Sequence, residues 1–449
     1  MKKAVHLFLC ISLLILCGFC TKQNKVTQPN IILLTVDALR ADHMGCYGYE
    51  YNTSPNIDSF AEKSTLFEFA YCTIPKTSAS FASMMTGLHP LVHKTNPNRD
   101  ALKPRFITLA EALRMRGYFN FGVVDNGNLS KKYHFNQGFH EYIEVWNHTE
   151  SIKESSEFIT KKVLDFLDEN IKSPFFLWAH YLETHTPYIP PSDFIEERPK
   201  GRDINKLAKK IFVGSRNERQ LLKKNSDEGY FISLYDGCVK YADSEIGKII
   251  DFIFTRGYDK NSIVIISSDH GEDLGEYNFY FDHGPLAFNA GARVPLIIYF
   301  PDKKSKVIRY PVSLMDIYPA LLKITGLVPA YKIQGRNLLE KSKDRHIKIM
   351  AVSKDFKSFS VVFNNYHFVR VPPRMAEKLG LKTEYLFDLN EDPYERNSIL
   401  TKKIKLAQYM ENENWQFFNK HARNKKDETE NPKLSEKDIK NLKTLGYIK

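Results

Sequence analysis

The chain is short of cysteine, and half of what it has lies in its first twenty residues. Six cysteines are present: Cys10, Cys17 and Cys20 in the leader, and only Cys46, Cys72 and Cys238 beyond it. An odd, scattered set of three excludes a disulfide framework and reads as small buried hydrophobes. After residue 20 no run is long and apolar enough to span a bilayer. No zinc-finger, RNP or basic-region pattern accompanies the formal charge of +11, which argues against nucleic acid and suits an acidic substrate or an anionic surface. No internal repeat is present, so repeat architectures are excluded. What remains, 449 residues that are 43% hydrophobic and 26% charged, is the composition of a globular protein with a large core.

The leader is informative. Lys2 and Lys3 precede an apolar run from Ala4 to Phe19, a charged n-region followed by an h-region. The run closes at Cys20 and gives way to the polar stretch Thr21 to Lys25. A cysteine there resembles the lipidated first residue of a bacterial lipoprotein, although Phe19 stands where such leaders usually carry a small residue. The expectation is an exported protein, periplasmic or in the cell envelope and lipid-anchored at Cys20. Residues 1–20 form the signal peptide and 21–28 a tether.

Four apolar runs follow: Asn30 to Val36, Pro174 to Ala179, Ser262 to Ser267 and Pro295 to Phe300. Between them lie stretches of helical period over Thr108 to Arg116, Ser155 to Asn170 and Tyr230 to Phe254. Continuous apolar runs alternating with helices read as buried parallel strands, so the fold class is α/β, a mostly parallel sheet with helices on both faces. In such sheets the ligand sits beyond the carboxyl ends of the strands. Residues 192–228 are charged and poor in apolar residues, a solvated excursion or lid. From about residue 345 the pattern becomes short and alternating, as in SFSVVFNN and YHFVRV. The expected organisation is a catalytic domain over 29–340, a small antiparallel subdomain over 341–401 and a basic, partly helical tail over 402–449.

The strand ends carry the chemistry. Asp37 follows the first run, and Asp269-His270-Gly271-Glu272 follows the third. One aspartate after a strand is as well explained by helix capping. Two acids and an imidazole delivered to one sheet edge suit a divalent metal: zinc, manganese or, with more oxygens, calcium. Between them, Lys76-Thr77-Ser78-Ala79-Ser80 opens a hydroxyl-rich stretch closed by Gly87 and Pro90, which reads as a helix. A hydroxyl at a helix N-terminus faces free N–H groups that favour a bound oxyanion, and an adjacent metal lowers its pKa toward that of a nucleophile. The plainer reading of Thr77 is an ordinary N-cap.

Taken in order, these segments resemble the sulfatase family of the alkaline phosphatase superfamily. VDALRADHMGCYGY (Val36 to Tyr49) is similar to that family's first metal motif, and the hydroxyl-rich helix ending in TGLHP to the stretch that carries its nucleophile. SSDHGEDLGE, FDHG with RVPLIIY, LYDGCVKYADSEIG and YLFDLNEDPYE resemble its later signatures. The resemblance implies an alkaline-phosphatase-like fold and a metal-dependent hydrolase of sulfuric or phosphoric esters. It implies one divalent ion held by Asp37, Asp269, His270 and Thr77, with Thr77 as nucleophile. It further implies His185 and His283 as catalytic and oxyanion-binding histidines, and Asn126 and Glu272 as supporting groups, Asn126 toward the substrate. The implied substrate is an anionic ester, a sulfated or phosphorylated glycan or lipid.

The chain departs from the family pattern at four positions. Sulfatases proper carry a cysteine or serine, oxidised to formylglycine, where this chain has Thr77, and a proline and an arginine where it has Ala79 and Phe81. Ala38 stands where a second aspartate is frequent. Threonine cannot form that aldehyde, and the pattern here resembles the threonine-nucleophile branch, which includes phosphodiesterases and phosphoglycerol or phosphoethanolamine transferases. A non-catalytic glycan- or lipid-binding family member is the further alternative.

Overall fold

The computed structural model describes residues 28–97, 99–169, 174–195, 228–341, 345–352 and 357–422. The leader, the tether up to residue 27, most of the charged excursion and the end of the tail lie outside them. Eight strands form the central sheet: β1 (Asn30–Val36), β2 (Thr65–Phe67), β3 (Phe119–Val124), β4 (Glu141–Glu144), β5 (Phe175–Tyr181), β6 (Ser262–Ser268), β7 (Leu296–Tyr299) and β8 (Lys306–Ile308). Their order across the sheet is β8-β2-β7-β6-β1-β5-β3-β4.

The apolar runs are continuous because the sheet is buried on both faces. Along β1, Ile31 and Leu33 enter one core while Ile32, Leu34 and Val36 enter the other. β5 and β6 alternate in the same way, with Trp178 and Ile265 on the first side and Leu177 and Ile266 on the second. The first core is closed by α1 (Thr77–Thr86) through Phe81 and Met84, and by α2 (Leu109–Met115) through Leu109 and Leu113. α3 (Ile152–Asp168) closes the second through Ile159 and Val163, and α4 (Glu228–Thr255) through Phe231, Tyr235 and Ile249. The start of α2 is set by a capping box. Thr108 Oγ1 accepts from the Glu111 amide at 3.1 Å and Glu111 Oε2 accepts from the Thr108 amide at 2.8 Å, a motif worth about 1 kcal/mol.

One expected strand runs the other way. Pro295 to Phe300 reads as a parallel strand, yet β7 is antiparallel to both β6 and β2. The chain leaves the carboxyl end of β6 and re-enters at that same end with no crossover helix, so it can only return reversed. An apolar run buried on both faces looks alike in either direction, and the direction is therefore absent from the pattern.

A second, four-stranded antiparallel sheet follows: β9 (Ile347–Val352), β10 (Lys357–Phe363), β11 (Tyr366–Arg370) and β12 (Glu384–Asp388). Asn364 and Asn365, at φ 47° and 61°, make the two-residue turn between β10 and β11, the backbone that suits a tight hairpin. Ile347, Ile349, Ala351 and Val362 extend the first core of the central sheet. On its other face, Val361, Phe368 and Leu386 pack on Ala407 and Met410 of α5 (Ile404–Ala422). The first described part of the expected tail thus shares a core with the sheet before it. No helix among the described residues is long and apolar enough to cross a membrane.

Met410 is fully buried under this sheet. Met410→Ala is expected to lower stability by about 2–5 kcal/mol, read as a shifted midpoint in urea unfolding. An unchanged midpoint would mean that α5 contributes nothing to the folded unit.

Candidate active site

The parallel register aligns Val36 of β1 with Ser268 of β6, so the next residues, Asp37 and Asp269, emerge side by side at the carboxyl edge. The chain after β1 turns through Ala38 at φ 56°, a left-handed conformation unusual for a residue with a Cβ. That turn aims the Ala38 amide at Asp269 Oδ1 at 3.2 Å. The His270 amide and the Ser268 hydroxyl donate to the same oxygen at 3.0 and 3.3 Å. On Asp37, Oδ2 accepts from Asn126 Nδ2 at 2.6 Å and lies 3.3 Å from His180 Nε2. Each carboxylate therefore has one oxygen tied to protein donors. The others, Asp37 Oδ1 and Asp269 Oδ2, are buried and without a hydrogen bond.

His270 completes the group. Its Nδ1 lies 2.9 Å from the Gly271 carbonyl, which can only accept, so the proton sits on Nδ1 and Nε2 keeps its lone pair. That Nε2 is 3.3 Å from Asp269 Oδ2 and 3.8 Å from Asp37 Oδ1. One ligand atom from each of the three residues falls within 4.8 Å of the others. Gly271 is required here because a Cβ would collide with the Ala290 carbonyl oxygen.

The electrostatics fit a cation. Burial alone would raise the Asp37 carboxyl, but the His180 hydrogen bond and the His185 and His270 rings hold it well below the usual carboxylate range. Burial, and then the charge of Asp37, push Asp269 up to about 8. Two fully buried carboxylates this close do not both ionise unaided. Burial pulls His270 down to about 4, so it is neutral at pH 7 and ready to ligate. Two orphaned carboxylate oxygens and one imidazole lone pair suit a divalent ion.

Around this group the structure gathers the other expected residues. Thr77 is the first residue of α1, with Lys76 at the N-cap, and its Oγ1 lies 3.4 Å from His270 Nε2. The His283 ring centre is 4.2 Å from that of His270 and 5.2 Å from that of His185. His283 Nδ1 is held by Glu272 Oε1 at 3.1 Å. His185 Nδ1 donates to the Thr186 carbonyl at 2.6 Å, and burial lowers the pKa of the ring. Glu183, two residues earlier, does not join them. It is buried near Asp125 and Glu245, both its oxygens lack a hydrogen bond, and burial above all holds its carboxyl well above the usual range. Arg40, from the first motif, is structural: it pairs with Asp42 and Glu276 and donates to the Glu272 carbonyl at 3.0 Å. A cavity of about 510 Å³ past Arg40, Glu276 and Arg293 is lined by none of the clustered residues.

Sequence reasoning missed three residues that brace the cluster, and a lysine next to Thr77. His180 lies inside β5, where it reads as one more strand position. The Thr184 hydroxyl donates to the Asp37 carbonyl. The Ser80 hydroxyl donates to the Asp269 carbonyl at 2.6 Å. Lys76 reads as an ordinary residue before a helix.

The family model described as Sulfatase matches residues 29–327. A relative named "Sulfatase" from Formosa agariphila is 26% identical over 434 residues, covering 83% of this chain and 83% of its own length. The solved structure of a protein in complex with its substrate D-glucosamine-2-N,6-O-disulfate aligns with a TM-score of 0.70 at 18% identity, covering 90% of this chain and 100% of that one. The phosphonate monoester hydrolase of Agrobacterium radiobacter aligns with a TM-score of 0.69 at 17% identity, covering 88% and 96%. These two structures share the fold with this chain.

Two outcomes follow from the geometry. His180→Ala removes a donor to Asp37, and divalent-metal affinity should fall about 10–100-fold in a chelator-competition titration, whereas an unchanged affinity would place His180 outside the site. Loading metal-free protein at pH 7 should release about one proton, since Asp269 must ionise and His270 is already neutral. Affinity then tightens as pH rises toward 8 and levels off above it. Calorimetry in buffers of different ionisation heat counts the proton, and zero release would argue against Asp269 as a ligand.

Proposed function

The chain belongs to the sulfatase family, and from that premise we propose that it is a metal-dependent hydrolase of sulfuric esters with Thr77 as nucleophile. The observation that carries this reading is the meeting of Thr77 Oγ1 with the Asp37, Asp269 and His270 group at the N-terminus of α1. Asp37, Asp269, His270 and Thr77 would hold one divalent ion, calcium, manganese or zinc. When bound, such an ion supplies Lewis acidity toward the ester's oxygens and lowers the pKa of a neighbouring hydroxyl.

The protein groups divide the remaining work. Thr77 Oγ attacks the sulfur in line as its proton leaves to solvent. The bond from sulfur to the ester oxygen breaks, and the leaving oxygen departs with the electron pair. His283, oriented by Glu272, hands that oxygen a proton. His185, whose Nδ1 proton is committed to a carbonyl, donates from Nε2 to the anion only as the imidazolium, which the anion's charge favours. The amides of the first turn of α1 face the equatorial oxygens. Water then attacks the sulfur of the threonine ester, the bond to Oγ breaks, sulfate leaves and Thr77 regains its proton. Asn126 acts through Asp37, by fixing the oxygen that faces away from the cluster.

Phosphoric esters are the second reading. Threonine stands where sulfatases proper form formylglycine, and the phosphonate monoester hydrolase is a neighbour in fold. The bound disulfated glucosamine of another neighbour supports a sulfated glycan as substrate. Export and a lipid anchor at Cys20 belong to the proposal and rest on the leader alone.

A panel of aryl sulfate, phosphate monoester, phosphodiester and phosphonate, each with calcium, manganese or zinc, tests the reading. Turnover of the sulfate is expected, faster turnover of a phosphorus ester selects the second reading, and no turnover of any member sinks both. Thr77→Ala should lower kcat/KM by about 10³ or more with the melting temperature retained, and full activity in that variant would remove Thr77 from the chemistry.

A further inference from the structure

The family pattern places an arginine shortly after the nucleophile, and this chain has Phe81 there. Phe81 is fully buried, with its ring 4.9 Å from Trp178 and 4.9 Å from His180. The second turn of α1 therefore offers packing, not positive charge. An oxyanion ester still carries at least one negative charge into this edge, where Asp37 and Asp269 are already buried.

A cation reaches the cluster from the other end of the helix. Lys76 is the N-cap residue, immediately before Thr77, and is half-buried. Its side chain runs across Gly284, the neighbour of His283. A Cβ at Gly284 would collide with Lys76 Cε and lie 2.8 Å from Nζ. Gly284 stands at φ 111°, and its carbonyl accepts from the Val352 amide of β9 at 2.8 Å, so the surface along which the lysine lies is pinned by the second sheet. The ammonium thus lies against the residue that follows His283, on a side chain that directly precedes Thr77.

We propose that Lys76 is the substrate-binding cation of this site, its ammonium receiving a non-bridging oxygen of the tetrahedral sulfuryl or phosphoryl group. The inference rests on the hydrolase reading above for its substrate class. A lysine ammonium is a compact point charge on a flexible stem, whereas a guanidinium imposes a planar, two-pronged fit. The site is accordingly tolerant of oxyanion geometry and sensitive to oxyanion charge, and it gains more from a phosphate dianion than from a sulfate monoester.

Calorimetric titration of the metal-loaded protein with inorganic sulfate and with inorganic phosphate reads this without turnover. Lys76→Met is expected to weaken both by about tenfold or more, to a similar degree because free sulfate and hydrogen phosphate are both dianions, at unchanged metal content and melting temperature. Lys76→Arg should recover most of the sulfate affinity. Gly284→Ala, which displaces the ammonium without deleting it, should weaken both anions as Lys76→Met does. Equal anion affinity in wild type and Lys76→Met, or no anion binding by wild type, overturns the proposal. If Lys76-dependent anion binding is present but no ester is hydrolysed, the hydrolase reading fails and this inference stands. If esters are hydrolysed with KM unchanged in Lys76→Met, the inference fails and the hydrolase reading stands.

Discussion

Two carboxylates held side by side in a buried place set the terms for everything around them. Asp37 and Asp269 are neighbours because β1 and β6 pair in parallel with Val36 opposite Ser268, and both are fully buried. Like charges so placed repel strongly in a low dielectric. Each is quieted on one oxygen by the protein, Asp37 by Asn126 and His180 and Asp269 by three donors of its own loop and the Ala38 turn. The two remaining oxygens have no hydrogen bond, the arrangement a cation site requires. The strained turn at Ala38, the carbonyl that fixes the His270 tautomer and the close packing at Gly271 all serve that arrangement.

The second sheet is part of this constraint. Its edge strand β9 donates to the Gly284 carbonyl from Val352 and to the Thr73 carbonyl from Met350, and Ser360 donates to the Ala287 carbonyl at 2.9 Å. Glu395, held by His367, accepts from the Asn289 amide at 2.8 Å. The loop that carries His283 is therefore braced from outside the central sheet. Shared packing of β9 and β10 with the main core makes the brace stiff, because close-packed interiors transmit displacement instead of absorbing it.

Departures from the family pattern are distributed in a physically consistent way. Ala38, lacking a carboxylate, lends its amide to Asp269. Phe81, lacking charge, packs against the two residues, Trp178 and His180, that lie beneath Asp37. Positive charge stands instead at Lys76, directly before Thr77.

The amino-acid pattern alone determined the α/β class, the strand and helix positions, and the residues at strand ends, because a sheet buried on both faces writes itself as apolar runs and its candidate ligands follow those runs directly. Asp37, Asp269 and His270 were legible for that reason, and Thr77 through the hydroxyl-rich helix start. Tertiary structure alone decided the reversed direction of β7, which periodicity cannot carry. It alone brought in His180, which sits within an apolar strand and declares itself only when register sets it against Asp37. It alone gave Lys76 its neighbours, since a residue before a helix has no partner until Gly284, 208 positions later in the chain, folds beneath it.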